Sequence, residues 1–172
     1  ENNIALDALA KSDGLTGLLN RRGFTEEALK RLERCRKEKD FLVAYIDMNN
    51  LKIINDRYGH DEGDFSIQTI SSTLKNLFPD GIIGRIGGDE FALLTEYSGE
   101  DTEELKNCIY HAFRVFNAES DKAYNVMVSV GFYVIEKESE IELADALAFA
   151  DEKLYIEKQN RPKAVAKDAV EV

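Results

Sequence analysis

Apolar and polar positions change period several times along the chain, and each change marks an element. Phe41 to Met48, FLVAYIDM, is a near-continuous apolar run that predicts a strand with Asp47 at its far end. Gly81–Ile86 and Phe91–Tyr97 are two apolar runs separated by Gly87-Gly88-Asp89-Glu90, which predicts a β-hairpin. The two glycines suit a tight turn because glycine tolerates positive φ. Val126 to Ile135 predicts another strand. Elsewhere apolar residues recur every three or four positions, the period of a helix. Ala28, Leu29, Leu32 and Cys35 predict a helix from about Thr25, its N-cap, to Lys39. Ile67, Ile70, Leu74 and Leu77 predict one from Asp61 to Phe78, ended by Pro79-Asp80-Gly81. Leu105, Ile109, Phe113 and Phe116 mark Asp101 to about Asn117, and Leu143, Leu147, Ala150 and Leu154 mark Glu140 to Gln159. Asn49 to Gly59 reads as a short helix or turn.

From the first strand onward the order is β-α-α-β-β-α-β-α. The hairpin makes the sheet at least partly antiparallel, so the expectation is an α+β sandwich with helices covering the sheet. The G-x-G-x-x-G and Walker-A phosphate motifs of doubly wound nucleotide folds are missing. Residues 1–12 read as the end of a helix arriving from upstream, and 13–22 as a structured loop. Residues 13–161 form the one domain, and 162–172 a frayed tail.

Composition narrows the partners. At 172 residues, 44% hydrophobic and 32% charged, the chain is an ordinary globular domain with enough length for a core. The net charge of −11 argues against nucleic acid and against an anionic membrane surface. It still permits a small anionic ligand held by a metal and local cations. Cys35 and Cys108 lack metal-ligand spacing and read as thiols of a reducing compartment. With no apolar run of about 18 residues and no signal peptide, the expected location is cytoplasmic. The first residue is Glu1, so the expectation is a piece of a longer protein whose upstream part senses a signal.

Three groups of residues are candidates for chemistry. Asp47 ends one strand and Asp89-Glu90 opens another, and strands about 4.8 Å apart can let two carboxylates share an ion. Hard oxygen ligands suit Mg²⁺, which takes one or two carboxylates plus substrate phosphates. The plainer alternative is a polar strand end and an acidic turn. The second group is Asn55-Asp56-x-x-Gly59-His60-x-x-Gly63-Asp64. With Asp61 as N-cap, Asp64 is either a first-turn acid favoured by the helix dipole or a carboxylate facing the sheet side and needing donors. A guanine edge offers such donors, and Asn55 could read another base edge. His60 reads as a turn residue. The third group is cationic: Lys52, Arg85, Lys158 and Arg161. Each taken singly is a surface charge, but Lys158 continues the apolar stripe of the last helix to the core's rim. Arg85 alternates with Gly87 and is expected to flank the carboxylates.

Taken together these pieces resemble the GGDEF family of diguanylate cyclases. DGLTGLLNRR (13–22) is similar to D-x-L-T-G-L-x-N-R-R, Asp47 to Asp56 to D-x-D-x-F-K-x-x-N-D, and Gly59 to Asp64 to G-H-x-x-G-D. The signature itself, Gly87 to Phe91, is intact. The resemblance implies a nucleotidyl-cyclase or polymerase-palm-like core with a five-stranded, mostly antiparallel sheet. It implies condensation of two GTP into cyclic di-GMP and two pyrophosphates, in a transient homodimer with one GTP per half-site. It assigns Asp47, the Met48 backbone carbonyl and Asp89 to Mg²⁺ or Mn²⁺. Asp89 and Glu90 become catalytic, Asn55 and Asp64 guanine readers, and Lys52, Arg85, Lys158 and Arg161 phosphate contacts. Gly87 and Gly88 form the turn.

The departures are few. Asn49 replaces the second Asp of D-x-D, and Leu51 replaces Phe. The family's product-inhibition motif R-x-x-D falls on Phe78 and Gly81, so feedback at that site is not expected. Arg161 stands one residue early in the terminal K-x-x-G-R pattern, whose glycine is absent. An inactive GTP-sensing module is the competing expectation, and the intact Asp47, Asp89 and Glu90 weigh against it.

Overall fold

A five-stranded sheet organises the chain, seen in a computed structural model that describes residues 10–160. The elements are β1 Leu19–Asn20, α1 Arg21–Cys35, β2 Asp40–Met48, α2 Leu51–Tyr58 and α3 His60–Leu77, then β3 Ile82–Arg85 and β4 Glu90–Tyr97. Helix α4 Thr102–Glu119, β5 Val128–Ile135 and α5 Leu143–Gln159 complete it. The strand order is β1-β3-β4-β2-β5. β2 runs antiparallel to both β4 and β5, β4 runs antiparallel to β3, and only β1 and β3 are parallel. The sheet is therefore mixed but mostly antiparallel, as expected. The expected helix over 1–12 falls largely outside the described residues, and the tail 162–172 falls wholly outside them.

Alternation along β2 sorts the two faces. Leu42, Ala44, Ile46 and Met48 pack with Ile67, Ile70 and Leu74 of α3 and Ile109 and Phe113 of α4. Phe41 and Val43 pack on the other face with Phe24, Ala28 and Leu32 of α1 and Leu143, Ala146 and Ala150 of α5. Burial on both faces explains why β2 reads as a continuous apolar run rather than an alternating one. Helix α5 lies so close on β5 that a Cβ at Gly131 would meet the Ala150 carbonyl at 1.9 Å. That close approach fixes the line along which α5 carries Lys158 to the end of β2.

Several expected boundaries move. Helix α1 starts four residues before Thr25, because Asn20 supplies the cap: its side chain accepts from the Gly23 N–H at 2.9 Å. Helix α3 starts at His60 with Gly59 before it, so Asp61 lies in the first turn rather than at the cap. Strand β1, two residues long, is too short to leave a periodic signal. Among the described residues no helix is long and apolar enough to cross a membrane.

Candidate functional site

The register of β2 against β4 places Asp47 directly opposite Glu90. Directly opposed residues share a face, so both carboxylates leave the sheet toward α5. Asp89 precedes Glu90 in the turn, and its carbonyl accepts from the Met48 N–H at 2.8 Å. The sequence pairs Asp47 with Asp89; the ladder makes Glu90 the cross-strand partner and keeps Asp89 as the neighbour on the turn. Tyr45, two residues before Asp47, lies on that same face, and its hydroxyl donates to Glu90 Oε1 at 3.1 Å. Burial, the Glu90 charge and this bond push the Tyr45 hydroxyl up to about 12, so it stays a donor. The sequence reading missed Tyr45, although strand alternation from Asp47 points to it.

Asp47 is the most perturbed carboxyl of this group. Burial drives its pKa up to about 6, Lys158 pulls the other way, and Asp89 and Glu90 push it further up. Its side chain is 14% exposed, and Lys158 Nζ lies 2.8 Å from Oδ1. The ammonium is the partner of an oxygen that is otherwise buried without a hydrogen bond. A cavity of about 580 Å³ opens here, lined by Asp47, Lys158 and the α5 residues Asp151, Glu152, Leu154, Tyr155 and Ile156. A buried carboxylate with an ammonium partner, beside two more carboxylates, offers the hard oxygen donors a divalent cation takes. Among the described residues no group of three or more His, Cys, Asp or Glu is already gathered as a metal cage.

The turn is built differently from the sequence expectation. Gly87 and Gly88 do not adopt positive φ. Gly87 is needed for space instead: a Cβ there would meet Glu90 Oε2 at 2.2 Å. Gly88 has nothing within 4 Å of an added Cβ, leaving its side of the turn open.

Arg85 does not flank the carboxylates. It pairs with Phe91, so its side chain leaves the face opposite Asp47 and Glu90. There it binds the Asp13 carboxylate and the Gly88 carbonyl. Asn49, the departure from D-x-D, accepts from the Ser129 hydroxyl at 2.9 Å and so holds β5 beside the site.

The remaining candidates sit on the α2–α3 hairpin. Lys52 and Asp64 are exposed. Asp64 therefore does not face the sheet as its spacing implies: the buried stripe of α3 runs through Gly63, Ile67, Ile70 and Leu74, and Asp64 lies beside it on the exposed side. Its carboxylate is open to a ligand. Asn55 Oδ1 is buried without a hydrogen bond and faces Gly63, where a Cβ would approach to 1.8 Å. Arg161 lies outside the described residues.

Comparison with known proteins follows the same outline. A family model described as "Diguanylate cyclase, GGDEF domain" matches residues 10–163. The chain is 36% identical over 169 residues to the diguanylate cyclase DgcP of Escherichia coli (strain K12), covering 95% of this chain and 49% of that protein. It is 37% identical over 94 residues to the cyclic di-GMP phosphodiesterase NbdA of Pseudomonas aeruginosa, covering 54% of this chain and 12% of that protein. The chain thus spans about half or less of these curated relatives. Among solved structures, the GGDEF domain of DgcB from Caulobacter crescentus in complex with c-di-GMP superposes with a TM-score of 0.74 at 25% identity. That match covers 91% of this chain and 95% of the other.

Proposed function

Because the chain belongs to the GGDEF family of diguanylate cyclases, we propose that it condenses two GTP into cyclic di-GMP and two pyrophosphates. The observation that carries this reading is the buried Asp47 carboxylate, set opposite Glu90, paired with Lys158 and with its pKa pushed up to about 6 by burial and by Asp89 and Glu90. Gathering three acids around one buried position costs stability that a divalent cation would recover.

Asp47, the Met48 carbonyl and Asp89 would hold Mg²⁺ or Mn²⁺. The bound ion supplies charge neutralisation at the reacting phosphate. Lys158 pairs with Asp47 and would turn to a phosphate oxygen once that carboxylate holds the ion. Lys52 offers a second ammonium from α2. Tyr45 holds one oxygen of Glu90, leaving Oε2 beside Gly87 for the site. Asp64 presents a carboxylate to the guanine edge, whose N1–H and amine are donors, and Asn55 lies beside it on α2, packed against Gly63. Arg85 contributes by fixing the turn rather than by touching phosphate.

One subunit carries half of a site for a two-nucleotide product, so turnover takes two copies facing each other across the open side of Gly88. GTP as substrate places the domain in the cytoplasm, downstream of a sensor in the longer protein.

The deciding experiment is product analysis from GTP and Mg²⁺ with two copies tethered by a dimerising fusion. Cyclic di-GMP is expected. Tight GTP binding without product in that tethered form would overturn the reading in favour of a GTP-sensing module.

A further inference from the structure

The hairpin that carries Asn55 and Asp64 has an unusual joint. One residue, Gly59, is both the C-cap of α2 and the N-cap of α3, and it provides no side-chain cap. The first turn of α3 therefore begins without a side-chain cap, and the Glu62 N–H turns to the Gly59 carbonyl at 3.2 Å. Restraint comes from a distant segment instead. Lys122, in the loop between α4 and β5, donates to Glu62 Oε1 at 3.0 Å and lies 2.8 Å from Oε2. The Tyr124 hydroxyl donates to the same carboxylate and lies 3.3 Å from the Glu62 carbonyl. The ammonium of Lys122 also sits 4.3 Å from the centre of the Phe65 ring. The Tyr124 ring packs at a tilt against Tyr58 of α2 with centroids 5.0 Å apart, and the Tyr58 hydroxyl reaches the Ala123 carbonyl at 3.4 Å.

Glu62 is next to Gly63, the residue that contacts Asn55, and two residues from Asp64. We propose that Glu62, Lys122 and Tyr124 are positioning residues that set guanine specificity by fixing the first turn of α3. This rests on the reading of Asn55 and Asp64 as the guanine readers. Both helices of the hairpin are gripped, α2 through Tyr58 and α3 through Glu62 and Phe65, so the clamp sets the distance between the two readers. Lys122 and Tyr124 hold the Glu62 carboxyl below its ordinary range, keeping it charged for both partners. If the clamp is lost, the first turn rotates about Gly59. Asp64 then moves with Gly63, while Asn55 stays on α2.

The test is titration calorimetry of the full chain with a non-hydrolysable GTP analogue and its inosine counterpart, which lacks the exocyclic amine. Glu62→Gln and Tyr124→Phe should weaken the guanine analogue about three- to tenfold and narrow its preference over inosine. In steady state they should raise KM more than they lower kcat. Asp64→Ala is the control. If Asp64→Ala keeps the full guanine preference, the guanine reading itself fails. If Asp64→Ala loses the preference while both clamp variants keep wild-type affinity and preference, the clamp is overturned. Equal weakening of both analogues also overturns it, since that is the mark of general loosening. Lys122→Met, which keeps the apolar stem over Phe65, serves as the readout should either variant melt below the assay temperature.

Discussion

Arg85 and Asp13 form an ion pair of 3.2 Å that ties the loop ahead of β1 to the signature turn. Both side chains are less than one fifth exposed. Arg85 continues to the Gly88 carbonyl through Nη2 at 2.7 Å and Nε at 3.1 Å. Arg21 holds the Ile86 carbonyl at 3.0 Å. On the other side, the Thr16 hydroxyl and N–H bind Asp13 Oδ2 at 2.7 and 2.9 Å. The acidic turn is therefore held by two arginines, Arg85 from the face away from the carboxylates and Arg21 from the start of α1.

Asp13→Asn should cost about 1–3 kcal/mol, because a partly buried guanidinium loses its charge partner. Its pH dependence follows from the Asp13 carboxyl. Burial raises its pKa, but the Thr16 bonds and Arg85 outweigh burial and leave it below 3.8. A depressed carboxyl stabilises the fold fully above its unfolded pKa and loses that contribution as pH falls through the folded value. Urea midpoints of wild type and Asp13→Asn should thus differ by a constant amount from pH 7 to 5 and converge as pH drops below about 4. A gap that persists at pH 2 would contradict the ion-pair assignment.

Asp89→Ala and Asp47→Asn should part company. Both should cut cyclic di-GMP formation by about a hundredfold or more. Asp47→Asn should also raise the stability of the metal-free protein by about 1–2 kcal/mol at neutral pH, because it removes a buried charge beside Asp89 and Glu90. Lys158, 36% exposed, can rehydrate when its partner is gone. Melting in a chelating buffer decides: an Asp47→Asn variant that melts below wild type refutes the account of a carboxylate kept at a cost in stability.

Gly131→Ala should lower stability by about 1–3 kcal/mol, since the added methyl meets backbone of α5 rather than a mobile side chain. The helix must slide, and Lys158 slides with it. Activity should fall more than the fraction unfolded accounts for, a comparison made with circular dichroism and product assay at one temperature.

Product should not inhibit through the site behind β3. Phe78 and Gly81 line a groove of about 690 Å³ there, with Arg31, Arg34 and Lys75 around it, and neither brings a charged side chain. Initial rates at increasing cyclic di-GMP should fit competition with GTP alone, and a noncompetitive component would refute this.

The core strands and the four long helices were legible because burial on one or both faces writes a period into the sequence. The carboxylates were legible because acids at strand ends interrupt that period. What remained hidden depends on register and on contacts far apart in sequence. A one-residue shift decides whether Asp89 or Glu90 faces Asp47, and no local pattern encodes it. Arg85 was assigned to the wrong face for the same reason. Asn20 was missed as a cap because apolar spacing locates a helix better than it locates its first turn. The Glu62 clamp joins residues 60 positions apart, beyond the reach of any spacing argument.

β2 is paired along both edges, and it carries one wall of the site, while Asn55 and Asp64 hang on a helical hairpin hinged at a single glycine. Amide hydrogen exchange should divide the site accordingly. The amide protons of Ala44 to Asp47 should be released only by global opening, and those of α2 and the first turn of α3 by smaller, local events. The carboxylate wall is then a fixed anvil, and any fitting to a ligand takes place on the hairpin.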